Sequence, residues 1–152
     1  MDWNAIYSAI ATKYSSEDAH RTVLAEEMTW YWSRKEWKDL VRVFVEKTDR
    51  YGIDTVGYGK ENSNNLIWEI LFEHATEKDD LEKGLRWMAL VLKNGAPAAA
   101  WYDTYANLWY KLGRIQEALY WEKRAMARDP DNNGIQKNFE KMKKGVPTWE
   151  KG

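Results

Sequence analysis

Apolar side chains recur every three or four residues along most of the chain, which is the spacing of one face of an α-helix. The first apolar stripe covers residues 3–14, and the second covers residues 24–31. After a corner at residues 33–34, a third stripe covers residues 37–48. This pattern predicts an N-terminal helix followed by a helical hairpin, with Ser15 or Ser16 as the cap of the second helix.

The helical pattern is interrupted over residues 51–62, where three glycines fall within eight residues and the apolar period is lost. Glycine-rich stretches between periodic segments are typical of loops, so we expect an insertion loop here. The tail over residues 146–149 is predicted to be extended and apolar enough to tuck back onto the domain. Between the loop and the tail, helical periodicity returns in five segments: about 63–77, 79–93, 97–112, 115–128 and a cap at 133–145.

The chain also contains an internal repeat. A shift of 34 residues places Trp87 on Trp121 and small or apolar residues on each other elsewhere, with Met88 on Glu122 as the main mismatch. A shift of 44 residues brings the first hairpin into the same frame, and the excess of ten is about the length of the insertion loop. Self-similarity at this period predicts three stacked helix pairs. They span about 21–54, 65–98 and 99–132.

One motif in the third pair resembles the tetratricopeptide repeat (TPR). Its residues are Tyr102, Tyr105, Ala106, Trp109, Gly113, Ile115, Glu117, Ala118, Ala125, Asp129 and Pro130. The resemblance implies an all-α fold: a right-handed solenoid of about three TPR-like hairpins, with an N-terminal helix and a C-terminal capping helix, in a single domain over 1–152. It further implies a non-enzymatic scaffold that binds a protein or peptide partner in a concave groove. The alternative fold is a helical bundle without repeats.

The first helix of each pair would line that groove. Nine side chains lie opposite the packing stripes of these helices and are the candidate partner-binding residues. They are Glu26, Thr29, Trp32, Glu69, Glu73, Asp103, Asn107, Tyr110 and Lys111. Such an acidic and aromatic groove would suit a peptide with basic and apolar side chains. For each residue, the alternative is an ordinary solvated helix face.

Residues 103–114 and the ending at 144–149 also resemble the helical C-terminal region of thioredoxin-like proteins from bacteria of the Bacteroides group. Those proteins carry a Cys-x-x-Cys site, whereas this chain has no cysteine. A second hypothesis is therefore a non-catalytic accessory module of such a protein, extracytoplasmic if that protein is exported and cytoplasmic otherwise. A third hypothesis is a carbohydrate-binding domain, since the 10 Trp and 9 Tyr side chains could stack on sugar rings.

Composition narrows the remaining possibilities. A net charge of −1 gives no basic field for nucleic acid or an anionic membrane. We expect no signal peptide, because the start lacks a basic and then apolar segment, and no run approaches the length of a membrane span. The absence of cysteine excludes disulfides, zinc–thiolate sites and a thiol nucleophile.

A ladder of acidic side chains is the only other candidate for chemistry. Glu69, Glu73 and Glu77 share one helix face beside His74. Helical metal sites usually draw ligands from several helices, and no second Glu-x-x-His motif is present. We therefore expect no metal, no cofactor and no catalytic site, while the identity of the partner and the oligomeric state are left open.

Overall fold

The computed structural model describes residues 1–93 and 95–149, and this part of the chain is all-helical, as predicted. It forms two compact units, residues 1–52 and residues 53–152. A π-helical segment, Ile67–Phe72, directly continues the fourth α-helix. The α-helices are α1 (Trp3–Ala11), α2 (Ser16–Arg34), α3 (Trp37–Tyr51), α4 (Gly59–Leu66), α5 (Lys78–Leu92), α6 (Ala99–Lys111), α7 (Ile115–Arg128) and α8 (Asn133–Lys143).

The first unit consists of α1, α2 and α3. The side chain of Ser15 caps α2 by accepting a hydrogen bond from the Asp18 amide at 3.0 Å, as the sequence predicts. Helix α2 ends at Arg34, and the next residue, Lys35, adopts a left-handed conformation with φ of 57°. Helix α3 supplies most of the core, and its Leu40 and Val43 are completely buried. The third stripe is therefore the face that holds this unit together.

The connection between α3 and α4 is shorter than predicted. We expected a loop over residues 51–62, but α3 includes Tyr51 and α4 begins at Gly59. Helix α4 is mostly polar, so it carries no apolar period in the sequence. Buried contacts compensate: Ser63 is buried, and its hydroxyl donates to the Asp54 carbonyl oxygen at 2.7 Å.

The core of the second unit is built around the π-helical segment. Ile67, Ile70, Leu71 and Phe72 are all completely buried there. Helix α5 approaches this segment closely at Gly84, where an added Cβ atom would lie 3.0 Å from Leu71 Cδ1. The small residue is therefore needed for the spacing between the two helices.

Helices α6, α7 and α8 complete the second unit. Alanines let α6 and α7 pack tightly: Ala106, Ala118 and Ala125 are completely buried. Helix α8 covers this pair with Ile135 and Met142, both of which are buried. None of the helices in the described ranges has the length and apolarity that crossing a bilayer requires.

Candidate functional site

Three of the nine predicted binding residues lie on α2 in the first unit. Glu26 and Thr29 are exposed, and Trp32 is half-buried. The Thr29 hydroxyl donates to the Ala25 carbonyl oxygen of the same helix at 3.1 Å. Within their unit, Glu26 and Thr29 therefore face solvent, and Trp32 does so only in part.

The other six predicted residues lie in the second unit, and the structure corrects the expected exposure of two of them. Asn107 is completely buried and Tyr110 is only 7% exposed, whereas both were predicted to face an open groove. Asp103 and Lys111 are half-buried, and so is Glu73, while Glu69 is exposed. The inner face of α6 is covered because α8 and the C-terminal tail pack on it.

The tail makes a specific contact with this face. The Tyr110 hydroxyl donates to the backbone carbonyl oxygen of Val146 at 3.0 Å. The indole of Trp149 packs edge-on against Phe72, with ring centroids 6.3 Å apart, and against Tyr110 at 5.9 Å. We call Phe72, Tyr110 and Lys111 the tail-binding face. The predicted return of the tail onto the domain is confirmed.

Lys111 completes the tail-binding face. Its ammonium group lies 5.5 Å from the centroid of the Trp149 ring and donates to the Phe72 carbonyl oxygen at 2.5 Å. That carbonyl lies in the last turn of its helix, where backbone oxygens lack partners within the helix. Burial lowers the pKa of Lys111 to about 8, and the negative charge of Glu73 opposes that shift. The site therefore joins a cation, an aromatic wall and a hydroxyl donor.

Known proteins offer no guide to this site. No family model, curated protein or solved structure matches the chain.

A buried pair of carboxyl groups lies behind the same face of α6. Glu122 of α7 is completely buried, and in the described ranges no protein donor reaches either of its oxygens. Burial, followed by the charge of Asp103, raises the pKa of Glu122 to about 11. Burial raises the pKa of Asp103 as well. Glu122 is therefore protonated, and its hydroxyl donates a hydrogen bond to Asp103, whereas its carbonyl oxygen has no donor among the described residues.

Two asparagines support the acceptor of this pair. The side-chain amide of Asn107 donates to Asp103 Oδ1 at 2.8 Å, and that of Asn138 donates to the same oxygen at 3.0 Å. Helices α6, α7 and α8 thus meet in one polar cluster, defined by Asp103, Asn107, Glu122 and Asn138. Among the described residues, no hydrogen-bond donor reaches Asn107 Oδ1 or either oxygen of Glu122.

Sequence reasoning missed this cluster, although it singled out Asp103 and Asn107 for another reason. The available signal was the mismatch of Met88 with Glu122 in the repeat, which places a carboxyl at a position where the other pair has an apolar side chain. Across residues 1–93 and 95–149, no three acidic or histidine side chains converge as metal ligands. The cluster therefore offers one proton and hydrogen-bonding groups that fix three helices.

Proposed function

We propose that the chain is a non-catalytic scaffold for protein–protein interaction and that its second unit binds an extended peptide segment at the tail-binding face. In this proposal, the helix pairs of the second unit are TPR-like hairpins. The site is smaller than the groove expected from the sequence. It consists of Phe72, Tyr110 and Lys111, whereas the predicted groove used four side chains of α6.

The observation that supports the proposal is the contact with Val146 and Trp149. An extended segment is bound there through one backbone carbonyl and one aromatic side chain. Recognition of a peptide by main-chain hydrogen bonds together with a pocket for a side chain is a recurring mode. A partner segment with an aromatic residue three positions after a free carbonyl would satisfy the same donor and the same rings.

The acidic residues near the face define the rest of the partner. Glu73 lies close enough to affect the pKa of Lys111, and Glu69 is exposed one turn earlier on the same helix. A basic side chain beside the aromatic residue would pair with these carboxylates. The proposed partner is therefore an extended segment that carries one aromatic and one basic side chain.

The two other hypotheses remain as alternatives with less support. An accessory module of a thioredoxin-like protein would use the same face for docking, so it changes the context of the site but not its chemistry. A carbohydrate-binding domain would need exposed rings grouped for stacking, yet all ten tryptophans are buried or half-buried, and the exposed tyrosines Tyr14, Tyr58 and Tyr120 lie on three separate segments of the chain. That observation favours the peptide-binding hypothesis.

A competition experiment tests the proposal. We would replace the tail ring with Trp149→Ala in the full chain and titrate a fluorescein-labelled peptide with the sequence of residues 146–149. We expect saturable binding with a Kd below about 1 mM, and weaker binding to the unsubstituted chain, in which the tail occupies the face.

The matched control is Trp101→Ala, which removes an indole from the same unit at a site where it donates to Glu61. This variant should bind the peptide no better than the unsubstituted chain does. Equal anisotropy changes for all three proteins, or no saturation with Trp149→Ala, would contradict the proposal.

A further inference from the structure

A cavity lies in the second unit, and its lining includes none of the three residues of the tail-binding face. Helices α5 and α6 flank a partly open cavity of about 400 Å³, within the range of about 300–1,000 Å³ that is typical of ligand pockets. Its apolar lining comes mainly from Leu85, Tyr105, Trp109 and Leu112. Tyr105 and Trp109 meet edge to face, with ring centroids 6.0 Å apart, so two faces of the cavity wall are aromatic.

Charged side chains surround this apolar lining, and positive charge predominates. Lys78, Arg86 and Arg114 line the cavity together with one carboxylate, Glu82. Lys78 lies 3.8 Å from Glu82, so these two charges offset each other. Two guanidinium groups remain, of which Arg114 forms an ion pair with Glu117 and Arg86 does not.

The two guanidinium groups differ in their partners. Arg86 is exposed and makes no ion pair or hydrogen bond with the described residues. Arg114 lies 5.5 Å from the centroid of the Trp109 ring, and its Nε donates to Glu117 at 3.0 Å. Because a guanidinium has five N–H donors, Arg114 retains donors for a second acid. Arg114 therefore lies beside the aromatic wall in an ion pair with Glu117, and among the described residues Arg86 has no such partner at the rim.

We propose that this cavity binds a partner's peptide segment in which an aromatic or large aliphatic side chain is flanked by acidic residues. The apolar side chain enters between Leu85 and Trp109. The flanking carboxylates pair with Arg86 and Arg114. These ion pairs give specificity, while the buried apolar side chain supplies most of the binding energy. Basic segments, which suit the tail-binding face, are repelled here, so the two sites select partners of opposite charge.

The probe that tests this inference is a capped pentapeptide with a central phenylalanine and two acidic residues on either side. Titrated into the isotopically labelled full chain, it should shift the indole N–H signal of Trp109 and saturate below about 1 mM. Arg86→Glu should raise its Kd roughly three- to tenfold, because an attraction becomes a repulsion. A pentapeptide with lysine in place of each acid should produce no saturable shift.

Lys123→Glu provides the matched control, since Lys123 is exposed on α7 and the charge change is the same. The inference is overturned if the acidic pentapeptide does not saturate, or if Arg86→Glu and Lys123→Glu change its Kd equally. It is also overturned if Trp149→Ala alters the Kd, since that places the peptide on the tail-binding face. If the tail peptide fails to bind but the pentapeptide binds, the proposed function fails and this inference stands.

Discussion

The carboxyl group of Glu122 in α7 lies within hydrogen-bonding reach of the carboxylate of Asp103 in α6, and the Glu122 side chain is completely withdrawn from solvent. Two adjacent negative charges would be very costly in a buried site, so one proton stays on the pair. In the unfolded chain, Glu122 titrates near 4.5. Above that pH, the folded state binds one proton more than the unfolded state, and the free energy of unfolding must fall as the pH rises.

Replacing Glu122 with Gln should remove this pH dependence, because the amide can donate the same hydrogen bond to Asp103 without titrating. Between pH 5 and pH 8, we expect the unsubstituted chain to lose about 1 kcal/mol of unfolding free energy per pH unit relative to Glu122→Gln. The two proteins should have similar stability near pH 4.5. Urea unfolding followed by far-UV circular dichroism at pH 5, 6, 7 and 8 measures the difference.

Glu69→Gln is the control for this experiment, because Glu69 is exposed in the same unit. Its stability should follow that of the unsubstituted chain at every pH. If the curve for Glu122→Gln also runs parallel to that of the unsubstituted chain, Glu122 is not protonated in the folded state.

The sequence predicted the features that depend on local periodicity. The apolar stripes identified the helical class and the first hairpin, and the composition of residues 146–149 predicted that the tail returns to the domain. The start of α4 was missed because that helix is polar and is held by contacts such as the bond from Ser63 to Asp54, which leave no apolar period.

The candidate site depended on contacts between distant segments, which periodicity does not report. Asn107 and Tyr110 lie on the predicted face of α6, but their exposure was decided by α8 and by the tail about 36 residues later. The mismatch at Glu122 was visible in the repeat. That Glu122 forms a buried carboxyl pair could be seen only once the position of Asp103 on the neighbouring helix was known. Helix faces were therefore predictable, and what covers them was not.

The hydroxyl of Tyr110 should control release of the tail. Tyr110→Phe keeps the ring contact with Trp149 but removes the hydrogen bond to the Val146 carbonyl, which is worth about 1 kcal/mol. We expect trypsin to cleave after Lys143 or Lys144 severalfold faster in this variant, as followed by mass spectrometry.

Tyr105→Phe is the control, since the Tyr105 hydroxyl has no hydrogen bond within the described ranges. Equal cleavage rates for the two variants would show that the hydroxyl does not hold the tail.

Gly84 should resist substitution even though alanine is the better helix former. A Cβ atom at this position would lie 3.0 Å from Leu71 Cδ1 and 3.5 Å from Leu108, and both leucines are completely buried. Overpacking of this kind costs about 1–3 kcal/mol, which exceeds the gain of about 1 kcal/mol from helix propensity. We therefore expect Gly84→Ala to lower the free energy of unfolding by about 1 kcal/mol in urea titrations.

A double-mutant cycle with Leu71→Ala separates the two effects. In the Leu71→Ala background the close contact is absent, so Gly84→Ala should become neutral or stabilising. If Gly84→Ala has the same effect in both backgrounds, contact with Leu71 is not the reason for the glycine.

Lys35 should be replaceable by glycine with a gain in stability. It follows the last turn of α2 with φ of 57°, where an L side chain costs about 1–2 kcal/mol and glycine has no such cost. Lys35 is exposed, and its backbone N–H bond to the Trp32 carbonyl oxygen is retained in the variant. Allowing for the greater freedom of glycine in the unfolded chain, we expect Lys35→Gly to raise the free energy of unfolding of the first unit by about 0.5–1 kcal/mol.

Glu26→Gly, in the exposed interior of the same helix, should lower the free energy of unfolding by about the same amount, since φ is helical there. Urea unfolding of both variants measures the two changes, and a shift of stability in the same direction for both glycines would contradict this expectation.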